Sequence, residues 1–146
     1  MAMQDFSRSL PIMLYRTLDA VMPRFRQIFN EFGLTEQQWR VLRVLWEQES
    51  IAFSDLSAFT LIPAPSLVGV LDRLTNKGLV ARRRSETDRR SVFVYATEEG
   101  QKLEREVGPR VDRAYADLRA SIDKESWDTL INGLEKISSI SQSTSE

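Results

Sequence analysis

The stretch Ile62-Pro63-Ala64-Pro65-Ser66-Leu67-Val68-Gly69-Val70-Leu71-Asp72-Arg73-Leu74-Thr75-Asn76-Lys77-Gly78 decides the fold. Leu67, Val70, Leu71 and Leu74 recur at steps of three and four, so they share one face of an α-helix. Proline and serine suit the first turn of a helix, where a missing N–H costs nothing, and the spacing predicts a start near Ala64. Glycine readily takes the left-handed conformation that ends helices, so Lys77-Gly78 closes this one near Asn76. Two strand-like runs follow, Leu79 to Ser85 and Ser91 to Thr97. In the second, Val92, Val94 and Ala96 face one way and Phe93 and Tyr95 the other. The polar tip Glu86-Thr87-Asp88-Arg89-Arg90 joins them into a hairpin.

Working upstream, Ser54 is placed to cap a short helix from Asp55 to Leu61 that buries Leu56 and Phe59. Ser50 to Phe53 reads as a short extended link. Thr35 to Gln38 has the Thr-x-x-Gln form of a capping box, and a helix from Glu36 to Gln48 then lines up Trp39, Leu42, Leu45 and Trp46. From Ser9 to Phe32 the apolar residues Leu14, Leu18, Val21, Phe25, Ile28 or Phe29, and Phe32 form one helical stripe, with Gly33 as its stop. Pro23 removes a backbone donor inside it, which predicts a kink or two helices in sequence.

Working downstream, helix resumes near Glu98, with Leu103, Val107, Val111, Ala114 or Tyr115, Leu118 and Ile122 on one face and a bend at Gly108-Pro109. Asp123 caps a last helix that buries Trp127, Leu130 or Ile131, Leu134 and Ile137. The polar run from Ser138 onward is expected to fray. The fold class is therefore mainly α with a small β wing. Residues 35–97 form a winged helix-turn-helix, and residues 9–34 and 98–141 form dimerisation helices. The first and last helices carry apolar stripes that a core this small does not obviously bury, and pairing two chains would cover them.

Composition narrows the function. The chain has 146 residues, 42% of them hydrophobic and 28% charged, as in an ordinary globular protein. No apolar run reaches membrane-spanning length, and no secretory pattern opens the chain, so a cytoplasmic location is expected. It contains no cysteine and no histidine. That removes disulfides, thiolate and Ser-His nucleophiles, and every Cys or His zinc site. No enzyme activity, metal or cofactor is expected. The net charge is only −1, but the cations gather in one place. Arg73, Lys77, Arg82, Arg83, Arg84, Arg89 and Arg90 face only Glu86 and Asp88 within that segment.

Such a segment on a wing points to DNA. The helix beginning near Pro63 fits a major groove, and its first turn meets base edges. Ser66 can hydrogen-bond a base edge or a phosphate, with helix capping as its competing role. Pro65 and Val68 offer apolar contact to a thymine methyl group. Arg73 is placed for a backbone phosphate in preference to a salt bridge with Asp72 or Glu86. Arg82, Arg83 and Arg84 can neutralise phosphates. Arg89 and Arg90 at the tip can enter a narrow minor groove, with Asp88 holding an arginine side chain in position. The competing class is a winged-helix protein-interaction module without DNA binding.

Leu34-Thr35-Glu36-Gln37-Gln38-Trp39-Arg40-Val41-Leu42, Gly69 to Leu74, Lys77-Gly78-Leu79-Val80, Asp88 to Val94 and Thr97-Glu98-Glu99-Gly100 together resemble the MarR family of bacterial transcriptional regulators. The resemblance covers nearly the whole chain. Its opening stretch and the Glu-Gln-Gln-Trp-Arg run are most similar to the branch that holds the regulator of homoprotocatechuate degradation. The resemblance implies a homodimer on a pseudo-palindromic operator, usually as a repressor, with Arg90 in the minor groove. It also implies a small anionic aromatic effector that lowers DNA affinity. For that effector, Arg16 and Arg40 are candidate carboxylate partners and Trp39 a candidate ring contact. The competing roles are ion pairs across the dimer for the two arginines and core packing for Trp39, as for Trp46 and Trp127.

Overall fold

The computed structural model describes residue 3 and residues 5–88 and 90–143, with side chains to residue 140. The elements run α1 (Leu10–Glu31), α2 (Glu36–Glu47), β1 (Ile51–Ala52), α3 (Phe53–Thr60), α4 (Ala64–Asn76), β2 (Val80–Arg84), β3 (Val92–Ala96), α5 (Glu98–Ala120) and α6 (Lys124–Ser143). A single 3-10 turn, Phe6–Arg8, precedes them. Two compact units divide the chain, residues 1–111 and 112–146, and α5 contributes to both.

In the first unit the helix boundaries follow local chemistry. Thr35 and Gln38 form the capping box reciprocally, at 3.1 Å and 3.2 Å. Gly33 and Gly78 end α1 and α4 with φ of +69° and +76°. Pro23 sits inside an unbroken α1, so a division into two helices does not occur. Pro109 likewise lies within a continuous α5. The short helix α3 begins at Phe53, two residues earlier than the expected start at Asp55. Ala52 is its N-cap, no side chain caps it, and Ser54 is already helical.

Ile51 and Ala52 do more than link. They pair antiparallel with Val94 and Phe93, giving a three-stranded sheet of order β1-β3-β2. The hairpin register runs from Val80 opposite Ala96 to Arg84 opposite Val92. Central β3 therefore buries Val94 and Ala96 while Phe93 and Tyr95 stay half-buried, as its alternation requires.

One core holds these elements together. Leu42 of α2, Leu56 of α3, Leu67, Leu71 and Leu74 of α4, Val80 of β2 and Val94 of β3 are all fully enclosed. Each such side chain contributes about 1.5–3 kcal/mol relative to exposure. Trp39 stacks on Phe29 with centroids 4.7 Å apart, and Trp46 meets Trp39 edge-on at 5.4 Å. Phe59 departs from expectation. It is 66% exposed, because the eight-residue α3 turns only Leu56 and Thr60 inward.

Polar bonds fix the joints. Lys77 Nζ donates to the Gly33 carbonyl and, at 3.0 Å, to Oε1 of buried Gln38. The end of α4 is thereby fastened to the turn between α1 and α2. Thr97 Oγ1 donates to the Gly78 carbonyl at 2.6 Å and accepts from the Gly100 N–H at 3.1 Å, capping α5. The Gly100 carbonyl accepts the Trp46 indole N–H at 2.9 Å. Arg110 of α5 pairs with Glu31 of α1, and this hydrogen bond holds the Glu31 carboxyl below its ordinary range.

In the second unit Tyr115 packs edge-on against Trp127 at 5.9 Å. Asp123 caps α6 as expected, accepting from the Ser126 N–H at 2.8 Å and the Ser126 hydroxyl at 2.7 Å. The apolar stripe of α6 does not become core. Trp127, Ile131 and Leu134 are half-buried, while Leu130 and Ile137 are exposed.

Two predictions follow from these joints. A Cβ on Gly100 would stand 2.2 Å from the Leu79 carbonyl oxygen, a rigid backbone atom. Gly100→Ala is expected to cost about 1–3 kcal/mol in urea unfolding and to shift the Trp46 emission that reports this contact. The Asp123 carboxyl is held below its ordinary range, chiefly by the Ser126 hydroxyl and then by the Ser126 N–H. The stability it adds is therefore present above the ordinary aspartate range and lost as pH falls through the lowered value. Acid titration of Asp123→Ala by circular dichroism should lack that step.

Candidate nucleic-acid interface

The turn between α3 and α4 is three residues long, and the two helices meet at 103°. This is the geometry of a helix-turn-helix. Leu61 enters the turn with φ of +56°, a left-handed value uncommon for a side chain of this size. Ile62 then drops into the core, and Ser57 Oγ donates to its carbonyl at 2.7 Å.

The first turn of α4 presents a small, apolar, unobstructed face. Pro63 is the N-cap, and Pro65 and Ser66 occupy the second and third helical positions. Both are exposed, as is Val68 at 46%. No side chain caps α4, so Ser66 is not occupied in capping. One to two turns on, Arg73 lies along the helix with its guanidinium beside Gly69. The carboxylate of Asp72 is taken instead by Arg82, whose Nη2 stands 2.8 Å from Oδ1.

The wing tip is locked by its own hydrogen bonds. Ser85 N–H donates to the Ser91 carbonyl at 2.9 Å, and Ser91 N–H to the Asp88 carbonyl at 3.0 Å. Ser85 Oγ accepts from the N–H groups of Thr87 and Asp88. Among the described residues, Asp88 shapes the tip by bonding to the residues just after it. Its Oδ1 accepts the Arg90 N–H at 3.0 Å and its Oδ2 accepts the Ser91 hydroxyl at 3.1 Å. This Asx turn spends the carboxylate on one main-chain donor and one hydroxyl close by in the chain. Arg90 is exposed, and Arg89 lies outside the described residues.

Between α4 and the wing runs an open cleft of about 630 Å³. Val68 lines one side, and Arg82, Arg83, Arg84 and Arg90 line the other. Arg83 is further steadied over the Tyr95 ring, 6.0 Å from its centroid, and by Ser50 Oγ. Lys77 does not join this cluster, since its ammonium is spent on the joint at Gly33 and Gln38. The cleft also takes in Phe53 and Ser54, which sequence reasoning missed. The β-rich character of the Ser50 to Phe53 link was their only signal; the pairing of β1 with β3 brings them there.

The residues considered for an effector do not all meet. Trp39 and Arg40 line a cavity of about 200 Å³ with Arg43, Val44, Glu47, Phe59 and Thr60. Arg40 donates to the Thr60 carbonyl at 2.9 Å, and its Nε is buried with no hydrogen-bond partner among the described residues. Arg43, which the sequence did not single out, pairs with Glu47 at 2.6 Å. Arg16 is outside this cavity and donates to the Ser7 carbonyl at 2.9 Å.

Comparison with known proteins agrees with this geometry. The family model described as MarR family matches residues 34–92. HTH-type transcriptional regulator FarR of Neisseria gonorrhoeae is 38% identical over 125 residues, covering 86% of each chain. The homoprotocatechuate degradative operon repressor of Escherichia coli is 36% identical over 138 residues, covering 94% of this chain and 93% of that one. Among solved structures, NadR in complex with 4-hydroxyphenylacetate superposes with a TM-score of 0.80 at 37% identity, covering 94% of this chain and 97% of the other. With this identity sustained along almost the whole length, and a winged helix-turn-helix at its centre, the chain belongs to the MarR family of transcriptional regulators.

Proposed function

We propose that the protein is a ligand-responsive repressor that binds a pseudo-palindromic operator as a homodimer. The observation that carries this reading is the cleft in which arginines of the wing face Val68 of α4, the helix whose exposed first turn lies just before it. Pro65, Ser66 and Val68 meet base edges in the major groove, Ser66 through its hydroxyl and the other two through thymine methyl groups. Arg73, Arg82 and Arg84 contact phosphates, and Arg89 and Arg90 reach the adjacent minor groove. Asp88 keeps the tip in shape. A protein-interaction module without DNA binding would have no need of an arginine-lined groove beside an uncapped, apolar helix start. The family relatives named above are transcriptional regulators, not enzymes.

Dimerisation is supported by apolar residues left exposed in each unit. Leu10, Leu14 and Leu18 lie on α1 in the first, and Ile122, Leu130 and Ile137 lie in the second. Residues 9–34 and 98–141 are assigned to this role and residues 35–97 to DNA. Two copies would then set their reading helices roughly 34 Å apart, one turn of B-DNA. A repressor meets its operator in the cytoplasm, and among the described residues no single helix is long and apolar enough to cross a membrane.

The effector is assigned as a small aromatic acid. NadR binds 4-hydroxyphenylacetate, and a relative represses homoprotocatechuate degradation. In this chain Trp39 offers a ring face and Arg40 an unsatisfied buried N–H beside the same cavity. Arg16, hydrogen-bonded elsewhere, is the less favoured contact. The effector acts by binding the non-DNA conformation more tightly.

Selection of bound duplexes from a random pool tests the core of this reading, and a palindromic consensus is the expected result. On that duplex Arg90→Ala should weaken binding by roughly 1–3 kcal/mol and lower the salt slope by about one. Unchanged affinity would count against the wing assignment. Trp39→Ala and Arg40→Met should leave operator affinity within about twofold while blunting release by 4-hydroxyphenylacetate at least tenfold, since only the ligand's differential affinity drives release. Titration by fluorescence anisotropy reads both.

A further inference from the structure

Arg82 differs from a plain phosphate-binding arginine in one respect. It projects from β2 on the same face as buried Val80, and there it meets the recognition helix. Its guanidinium is 2.8 Å from Asp72 Oδ1. Asp72 is the more exposed partner, its side chain 54% accessible against 35% for Arg82. A solvent-accessible carboxylate thus holds one of the arginines that line the cleft. Arginine binds a phosphate best with two parallel N–H bonds, the same fork that a carboxylate takes. Asp72 and a DNA phosphate therefore compete for one site.

We propose that Asp72 is a built-in substitute for phosphate, holding Arg82 in reserve and limiting how tightly the free protein grips any DNA backbone. The proposal rests on the cleft being a DNA site, and it adds a residue that opposes binding there. A phosphate entering beside Arg82 has two options. It displaces Asp72, which then loses its partner, or it settles next to a negative charge. Both lower affinity, and neither depends on base sequence. Neutralising Asp72 removes the competitor and frees a cation that counts in counterion release.

The other role open to this pair is a strap. An ion pair between α4 and β2 would hold the cleft at its working width, and breaking it would weaken binding. The two roles predict opposite signs, so one set of variants separates them. Asp72 is exposed and outside the core, so Asp72→Asn is expected to fold, and thermal unfolding checks this. Asp72→Ser is a second neutral variant should the amide find a new partner.

The experiment is fluorescence anisotropy on a duplex selected with the wild-type protein, run across a series of KCl concentrations. Asp72→Asn should bind about tenfold more tightly at low salt, with a log K against log salt slope steeper by about one. Asp72→Glu, which keeps the charge, should restore the wild-type slope. In an Arg82→Gln background, Asp72→Asn should change affinity by less than about twofold, since the competed site is gone. Weaker or unchanged binding by Asp72→Asn, with an unchanged slope, would overturn the proposal while leaving the operator reading intact. Wild-type protein that selects no duplex and shows no salt dependence would overturn both.

Discussion

The structure depends on one shared core beneath two exposed elements. Leu67, Leu71 and Leu74 anchor α4 in the same cluster that holds Val80 and Val94 of the wing strands. Neither element can slide without opening a cavity among close-packed leucines, and such cavities cost several kcal/mol. The distance between the recognition helix and the wing is therefore a property of the core. A cleft of set width results, and the charged side chains along it inherit their positions from residues that never meet solvent.

Around that core a few polar bonds carry the joints, and each resolves a backbone group left over by the fold. Lys77 satisfies the Gly33 carbonyl at the end of α1 and buried Gln38 at the start of α2. Thr97 ties the end of α4 to the start of α5 through the Gly78 carbonyl. Gly100 allows α5 to press against the Leu79 carbonyl, and its own carbonyl receives the Trp46 indole. The Thr-x-x-Gly pattern after the wing is thus a cap combined with a close approach. At the tip, Asp88 and Ser85 fold the loop back on itself, so Arg90 is presented from a stiff support. A stiff support matters because less side-chain and loop freedom is lost when DNA binds.

Charge is distributed by the same logic. The net charge of −1 hides a strongly basic groove. Within the basic segment the cations divide by role. Lys77 is structural, Arg82 is held by Asp72, Arg83 rests on Tyr95, and Arg90 faces outward. A count of arginines therefore overstates the number of cations without a partner close by, as the Asp72 pair shows for Arg82.

Much of the fold could be read directly, because it rests on local rules. Apolar spacing marked the faces of α2 and α4, the Thr35 box and the two left-handed glycines marked helix ends, and alternation marked β3. The arginine-rich tip and its flanking strands were legible for the same reason. What required tertiary structure was every contact between residues far apart in the chain. The extended link at Ser50 to Phe53 was legible, but its pairing with the open edge of β3 was not, because the partner lies about forty residues away. Phe59 stayed exposed because a short helix has only one inward face, and Asp72 found Arg82 because α4 and β2 were packed on one core. Local propensity depends on neighbours within a turn or two of chain, whereas pairing and burial depend on which surfaces the core brings together.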